Sequence, residues 1–160
     1  MNIRPATRQD IPAILEIVAP TLRAGETYAI DSNMDDDQVI AYWMGPDKVT
    51  LVAEEDGEIV GTYYIRKNQG GGGSHVCNCG YMTSPKATGR GIARRMGEDS
   101  FVRARELGYR AMQYNFVIAS NEAAVHLWPT LGFEIVGRLP GAFMHPKLGE
   151  TDALVMYRKL

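Results

Sequence analysis

Apolar residues along this chain recur at two spacings, and the switches between them mark out its elements. Asn2 to Ala6 reads as a short first strand. Ile11, Ile14, Leu15 and Val18 then fall three and four apart, the period of a helix with one buried face. Asp10 stands before that helix as a candidate N-cap, Pro12 fits its first turn, and Pro20 is expected to end it. Leu22 to Asn33 holds no period and is expected to be loop or partial helix. The acidic run Asp35-Asp36-Asp37 opens a second helix carrying Val39, Ile40, Tyr42 and Trp43, with Gly45-Pro46 as its stop.

Two strands follow, Thr50 to Ala53 and Glu58 to Arg66, around the turn Glu55-Asp56-Gly57. The glycine run Gly70 to Gly73 precedes no helical pattern, so Asn68 to Ser74 is expected to be a mobile hairpin loop. His75 to Thr83 is the next strand. It breaks at Pro85 into a turn holding Gly89 and Gly91, and enters an amphipathic run from Ile92 to Leu107. Ala111 to Val117 is extended. Asn121 starts a last helix with Ala124, Val125, Leu127 and Leu131 on its apolar side, stopped by Gly132. Phe133 to Leu139 and Ala153 to Leu160 are the final strands, separated by an expected loop from Pro140 to Thr151. The order implies a mixed α/β (α+β) sheet with helices on both faces, in a single domain spanning residues 1–160.

The turn after Thr83 is the part with evident chemistry. Strand, glycine turn and helix start together make an anion site, because the first N–H groups of a helix lack internal partners and the dipole there favours negative charge. Glycine removes the Cβ that would block a phosphate. Arg90, Arg94 and Arg95 put positive charge where the dipole disfavours it, unless an anion arrives. The pattern is neither Gly-x-Gly-x-x-Gly nor a P-loop.

Composition narrows the partners. A net charge of −2 over 160 residues lacks the basic face of a general nucleic-acid binder. No apolar run reaches membrane-spanning length and Met1 to Arg4 does not open a signal peptide, so a cytoplasmic location is expected. Cys77 and Cys79 lie too close along one strand for a useful disulfide. With His75 they share a strand face, but they have no fourth ligand and tighter spacing than zinc sites use, so reduced thiols and no metal are expected.

Two stretches, Thr88-Gly89-Arg90-Gly91-Ile92-Ala93 and Asn121-Glu122-Ala123-Ala124 through Leu131-Gly132-Phe133-Glu134, resemble the GNAT superfamily of N-acetyltransferases. The likeness covers nearly the whole chain. It implies the GNAT fold, a mostly antiparallel central sheet of about seven strands flanked by about four helices, and acetyl-CoA as co-substrate. By resemblance, Gly89, Arg90, Gly91, Ile92, Ala93 and Arg94 hold the pyrophosphate, and the pantetheine arm pairs with Tyr81, Met82 and Thr83 like an added strand. A backbone N–H there polarises the thioester carbonyl. Asn121 bonds the pantetheine arm, and it also suits a plain N-cap.

Three positions depart from the family pattern. Thr88 replaces Gln or Arg. Trp128 replaces a Tyr that protonates the leaving thiolate, and Asn78 replaces a Glu that serves as general base. Ser74 to Tyr81, with Asn115 and Asn121, is similar to the fungal azetidine-2-carboxylate acetyltransferase group, which implies that Asn78 and Asn115 bind substrate beside the reacting nitrogen. Buried asparagines satisfying loose backbone groups are the plainer alternative. Tyr28 is a candidate to close over the substrate, Arg23 or Arg66 to meet a substrate carboxylate, and Glu54 or Glu55 to act as base. The expected function is acetylation of a small amine, with a protein N-terminus or lysine, or a non-catalytic acyl-CoA sensor, as alternatives. The family also suggests a homodimer, with Leu154 to Tyr157 as interface candidates.

Overall fold

A computed structural model describes residues 1–160. One seven-stranded sheet runs through it in the order β1-β2-β3-β4-β5-β7-β6. The strands are β1 (Asn2–Pro5), β2 (Lys48–Glu55), β3 (Glu58–Lys67), β4 (Val76–Thr83), β5 (Ala111–Ile118), β6 (Glu134–His145) and β7 (Gly149–Lys159). All neighbours are antiparallel except β4 and β5. The helices are α1 (Ile11–Ala24), α2 (Asp36–Trp43), α3 (Ile92–Glu106) and α4 (Glu122–Thr130). No helix is long and apolar enough to cross a membrane.

The sheet divides the core in two. Ile14, Val18 and Leu22 of α1 and Val39 and Trp43 of α2 pack on Val52, Tyr64 and Met82. On the opposite face, Ile92, Met96 and Phe101 of α3 and Trp128 of α4 pack on Leu51, Tyr63, Ile65, Cys77 and Cys79. Successive side chains of a strand point to opposite faces, so β3 is buried without interruption from Val60 to Ile65. Gly61 and Gly80 mark close approaches. A Cβ on Gly61 would lie 2.9 Å from the Met96 side chain, and one on Gly80 only 2.7 Å from the Tyr64 ring.

Local signals are mostly obeyed. Asp35 caps α2 in a reciprocal capping box with Gln38. Asp56 and Gly57 both take positive φ, the conformation of a two-residue hairpin turn. Four expectations need correction. The first helix does not stop at Pro20 but runs on to Ala24. Pro20 faces solvent, while the buried stripe continues through Leu22, and Gly25 (φ 64°) supplies the left-handed stop. Asp10 does not cap that helix through its side chain. It accepts from Thr7 and pairs with Arg4. The expected loop from Pro140 to Thr151 is mostly strand, because β6 and β7 extend to a tight turn after His145. Pro140 is tolerated at the register shift between Leu139 and Phe143, where no regular ladder bond is required. Of the interface candidates, Leu154 and Met156 are buried in the protein's own core and cannot serve, while Val155 and Tyr157 are half-buried. The exposed apolar residues lie elsewhere, among them Ile135, Val136 and Leu139 on edge strand β6.

Candidate active site

β4 and β5 pair only at Val76–Ala111 and Cys77–Met112 before they separate. At the next step Asn78 replaces the missing ladder bond, its Nδ2 donating to the Gln113 carbonyl at 2.9 Å. β5 also slips register against β7 between Tyr114 and Val117, which bends it away. The opening is a cleft of ≈ 410 Å³. Asn78, Gly80, Tyr81, Asn115, Asn121 and Trp128 line it, together with Tyr28, Tyr42, Tyr64 and Arg66.

The free edge of β4 follows from its pairing with β3. Ser84 N–H bonds to Val60 O, so the even-numbered residues of this strand turn their backbone groups towards β3. Tyr81 and Thr83 therefore turn their backbone groups to the unpaired side of β4, where Tyr81 lines the cleft. Met82 does not: its backbone belongs to the β3 side and its side chain is buried beneath α1. Of the three residues expected to pair with an added strand, two present the required edge. The Tyr28 hydroxyl already sits there, accepting from Tyr81 N–H and donating to Tyr81 O, both at 3.1 Å. Burial pushes the Tyr28 hydroxyl pKa well up, so it stays protonated.

β4 leads straight into the glycine turn. Gly89 (φ 78°) and Gly91 (φ 74°) are both left-handed, and a Cβ on either would meet nothing within 4 Å. Glycine is required there by backbone conformation, and the space above is open. The first bond of α3 runs from Arg95 N–H to Gly91 O, leaving the N–H groups of Ile92, Ala93 and Arg94 without helical acceptors. Successive N–H groups in such turns form an anion-binding concavity. Arg90 is paired with Glu55, and Arg94 donates to Thr130 Oγ1 at 2.8 Å.

The remaining candidates divide. Asn115 reaches the cleft but is tied on both sides: Nδ2 donates to Asn68 Oδ1 at 2.7 Å and Oδ1 accepts from Gln113 Nε2 at 2.9 Å. Asn121 Oδ1 accepts from Ala124 N–H at 3.4 Å, so it caps α4 while lining the cleft. Trp128 is buried, its ring 4.8 Å from Tyr81 and 5.0 Å from Tyr114. Those tyrosines form a hydroxyl chain, Tyr114 to Tyr81 to Ser100, whose Oγ donates to Gly97 O. Burial pushes both tyrosine pKa values far up.

Arg23 lies outside the cleft, bonded to Asp36 and Met34 O. Glu54 pairs with Arg4 and Glu55 with Arg90, and neither of them, nor any other Asp or Glu, lines the cleft. Cys77 and Cys79 are core residues, and burial raises the Cys79 thiol. The sequence reading missed Tyr42 and Tyr64, whose hydroxyls lie 3.3 Å apart on the cleft wall. Their strand and helix spacing looks like ordinary core, so no local signal distinguishes them.

The family model described as the Acetyltransferase (GNAT) family matches residues 12–133. Among solved structures, a GCN5-related N-acetyltransferase from Kribbella flavida aligns with a TM-score of 0.93 at 39% identity, covering 99% of this chain and 97% of that one. The structure of yncA from Salmonella typhimurium, solved with its cofactor acetyl-CoA, shares the fold at a TM-score of 0.86 and 24% identity, over 100% of this chain and 94% of that one. N-acetyltransferase aca1 of Schizosaccharomyces pombe is 26% identical over an alignment 137 positions long that covers 76% of this chain. The match spans 66% of that protein, just under two thirds of its length.

Proposed function

This chain belongs to the acetyltransferase (GNAT) family, and from that premise we propose that it transfers the acetyl group of acetyl-CoA to the amine of a small molecule, working as a single domain. The observation that carries this reading is the continuity of the site. A free strand edge at Tyr81 and Thr83 runs directly into the cradle at Gly89 and Gly91, which matches a ligand with a hydrogen-bonding arm and a pyrophosphate.

Bound acetyl-CoA supplies a thioester: the amine nitrogen bonds to its carbonyl carbon, the C–S bond breaks, and the coenzyme A thiolate leaves. The chain's own groups do the positioning. Tyr81 N–H, once Tyr28 withdraws, points at the oxygen on which charge develops. The N–H groups of Ile92, Ala93 and Arg94 hold phosphate oxygens, and Arg90 exchanges Glu55 for the same anion. The amide of Asn121 left over from capping α4 bonds the pantetheine arm. Asn78 and Asn115 orient the amine by accepting from it at their carbonyl oxygens, since both amide nitrogens are already engaged. With no carboxylate in the cleft, the proton released from nitrogen passes to water rather than to a side-chain base.

A small acceptor fits better than a protein segment. Lys147 in the β6–β7 turn bonds Glu26 at 2.6 Å, linking that hairpin to the loop whose Thr27 to Ile30 line the cleft. Membership of the superfamily does not reach the azetidine-2-carboxylate group, so a proline analogue enters only as one acceptor within the proposed class. The free thiols Cys77 and Cys79 suit a reducing, cytoplasmic setting.

The test is acetyl-CoA turnover, read as free thiol, against cyclic imino acids, ordinary amino acids, polyamines, aminoglycosides and short peptides. Turnover on small amines, but not on peptides, is expected. Asn78→Ala is expected to lower kcat on the order of tenfold while leaving acetyl-CoA affinity nearly unchanged. Equal loss of both would take Asn78 off the acceptor side, and turnover on peptides alone would replace the small-molecule reading.

A further inference from the structure

The acceptor end of the cleft holds a cation with too little to bind. Arg66 on β3 stands opposite Asn78 on β4 in the ladder, so both side chains rise from one face of the sheet with Cα atoms about 5.5 Å apart. Both line the cleft. Arg66 Nε is buried without any hydrogen-bond partner, alone among the buried side-chain polar atoms of the molecule. Its nearest carboxylate, Asp47, approaches only Nη1, at 3.9 Å.

That carboxylate is already engaged. Lys48 Nζ sits 3.1 Å from Asp47 Oδ1 and 3.3 Å from Oδ2. The lysine side chain is itself buried, with Nζ 4.7 Å from the centre of the Tyr42 ring and 5.4 Å from that of Tyr64. Two cations thus share one acid, and no second carboxylate lies within ion-pair distance of either. Arg66 Nε is closed off from solvent, but the side chain is 36% exposed and makes no hydrogen bond, so its Nη groups are the donors open to a ligand. A guanidinium presents paired N–H groups that match the two oxygens of a carboxylate.

We propose that Arg66 binds the carboxylate of the acceptor, and that the acceptors are therefore amino or imino acids. This inference rests on the acetyl-transfer reading of the same cleft. In such a compound the carboxylate and the amine are separated by a single carbon, which suits neighbouring positions on adjacent strands. Asn78 and Asn115 take the nitrogen and Arg66 takes the carboxylate. Exposed Nη groups whose one nearby acid is 3.9 Å away and shared with Lys48, in a cleft of ≈ 410 Å³, suit one carboxylate on a compact molecule.

The test uses matched acceptors that differ only in bearing a carboxylate or the corresponding carboxamide, such as azetidine-2-carboxylate, proline and alanine with their amides. Thiol release would be followed for the wild type, Arg66→Gln and Arg66→Lys. The wild type is expected to favour each acid over its amide by roughly ten- to a hundredfold in kcat/KM, the range of a hydrogen bond to a charged group. Arg66→Gln is expected to reduce that preference to within about threefold, and Arg66→Lys to restore part of it. A preference that survives Arg66→Gln, or acids and amides accepted equally by the wild type, would overturn the proposal and leave acetyl transfer standing. If no amine is turned over, the acetyl-transfer reading fails instead, and calorimetric binding of the same pairs tests the carboxylate site alone. Acid binding that disappears in Arg66→Gln supports the site, and absence of acid binding to the wild type overturns it. Acetyl-CoA affinity and melting temperature, measured for each variant, separate misfolding from either result.

Discussion

The Tyr28 hydroxyl occupies both backbone groups of Tyr81 at the open edge of β4. A ligand that needs Tyr81 N–H must first displace it, so part of the binding free energy offsets a lost internal hydrogen bond. Tyr28→Phe removes that competitor and keeps the ring against Trp43. A typical hydrogen bond contributes about 1 kcal/mol net, so acetyl-CoA should bind roughly fivefold more tightly to the variant by calorimetry. Weaker binding would mean instead that the hydroxyl itself touches the cofactor. At this scale the sequence was only partly readable. Period-two alternation correctly put Asn78 and Gly80 on the face opposite Cys77 and Cys79, because strand geometry is local. That Tyr28 reaches a strand more than fifty positions away, or that the Asn78 amide is taken up by Gln113 O, depends on how distant elements dock.

Elements were easier to read wherever their ends carry their own chemistry. The Asp35 cap, the Asp56-Gly57 turn and the Gly89–Gly91 approach to α3 all depend on a few adjacent residues. Pro20 misled because its helix-breaking tendency is local, whereas the burial of Leu22 that carries the helix past it is tertiary. The β6–β7 hairpin was cut short for the same kind of reason, Pro140 reading as a loop although a register shift accommodates it. The anion cradle gives an element-scale prediction. Gly91→Ala introduces no clash but places a Cβ at φ 74°, a left-handed conformation costing about 1–2 kcal/mol. Stability should fall by about that amount, and acetyl-CoA affinity should fall on the order of tenfold as the turn relaxes out of its cradle geometry. Gly57→Ala is the control, since Gly57 (φ 82°) is equally left-handed and equally uncrowded but lies in the β2–β3 turn. It should lose similar stability and keep its affinity. Equal affinity loss in both variants, or in neither, would remove the phosphates from this turn.

At the scale of the whole molecule, the alternation of strands and helices was enough to expect a sheet covered on both faces. The placement of β7 between β5 and β6 was not readable, because no short-range pattern encodes which distant strands pair. Nor was the way the chain's first strand is secured. β1 lies at the sheet edge, where Arg4 bonds both oxygens of Asp10 at 2.8 and 2.9 Å and also Glu54 at 2.9 Å, while Arg103 donates to Ile3 O. The Arg4 guanidinium holds the Asp10 carboxyl well below the usual carboxylate range, against the opposing effect of burial. A carboxyl whose pKa is lower folded than unfolded stabilises the fold above its unfolded value, near about 3.9, and loses that contribution as pH falls through the folded value. Asp10→Asn should therefore melt several degrees below the wild type at pH 7, and the gap should narrow steadily once the pH drops below about 4. Arg4 stays protonated throughout that range, so the change belongs to the carboxylate. A gap of constant size from pH 7 to pH 3 would mean that Asp10 contributes through shape and neutral hydrogen bonds to Thr7, not through its charge on Arg4.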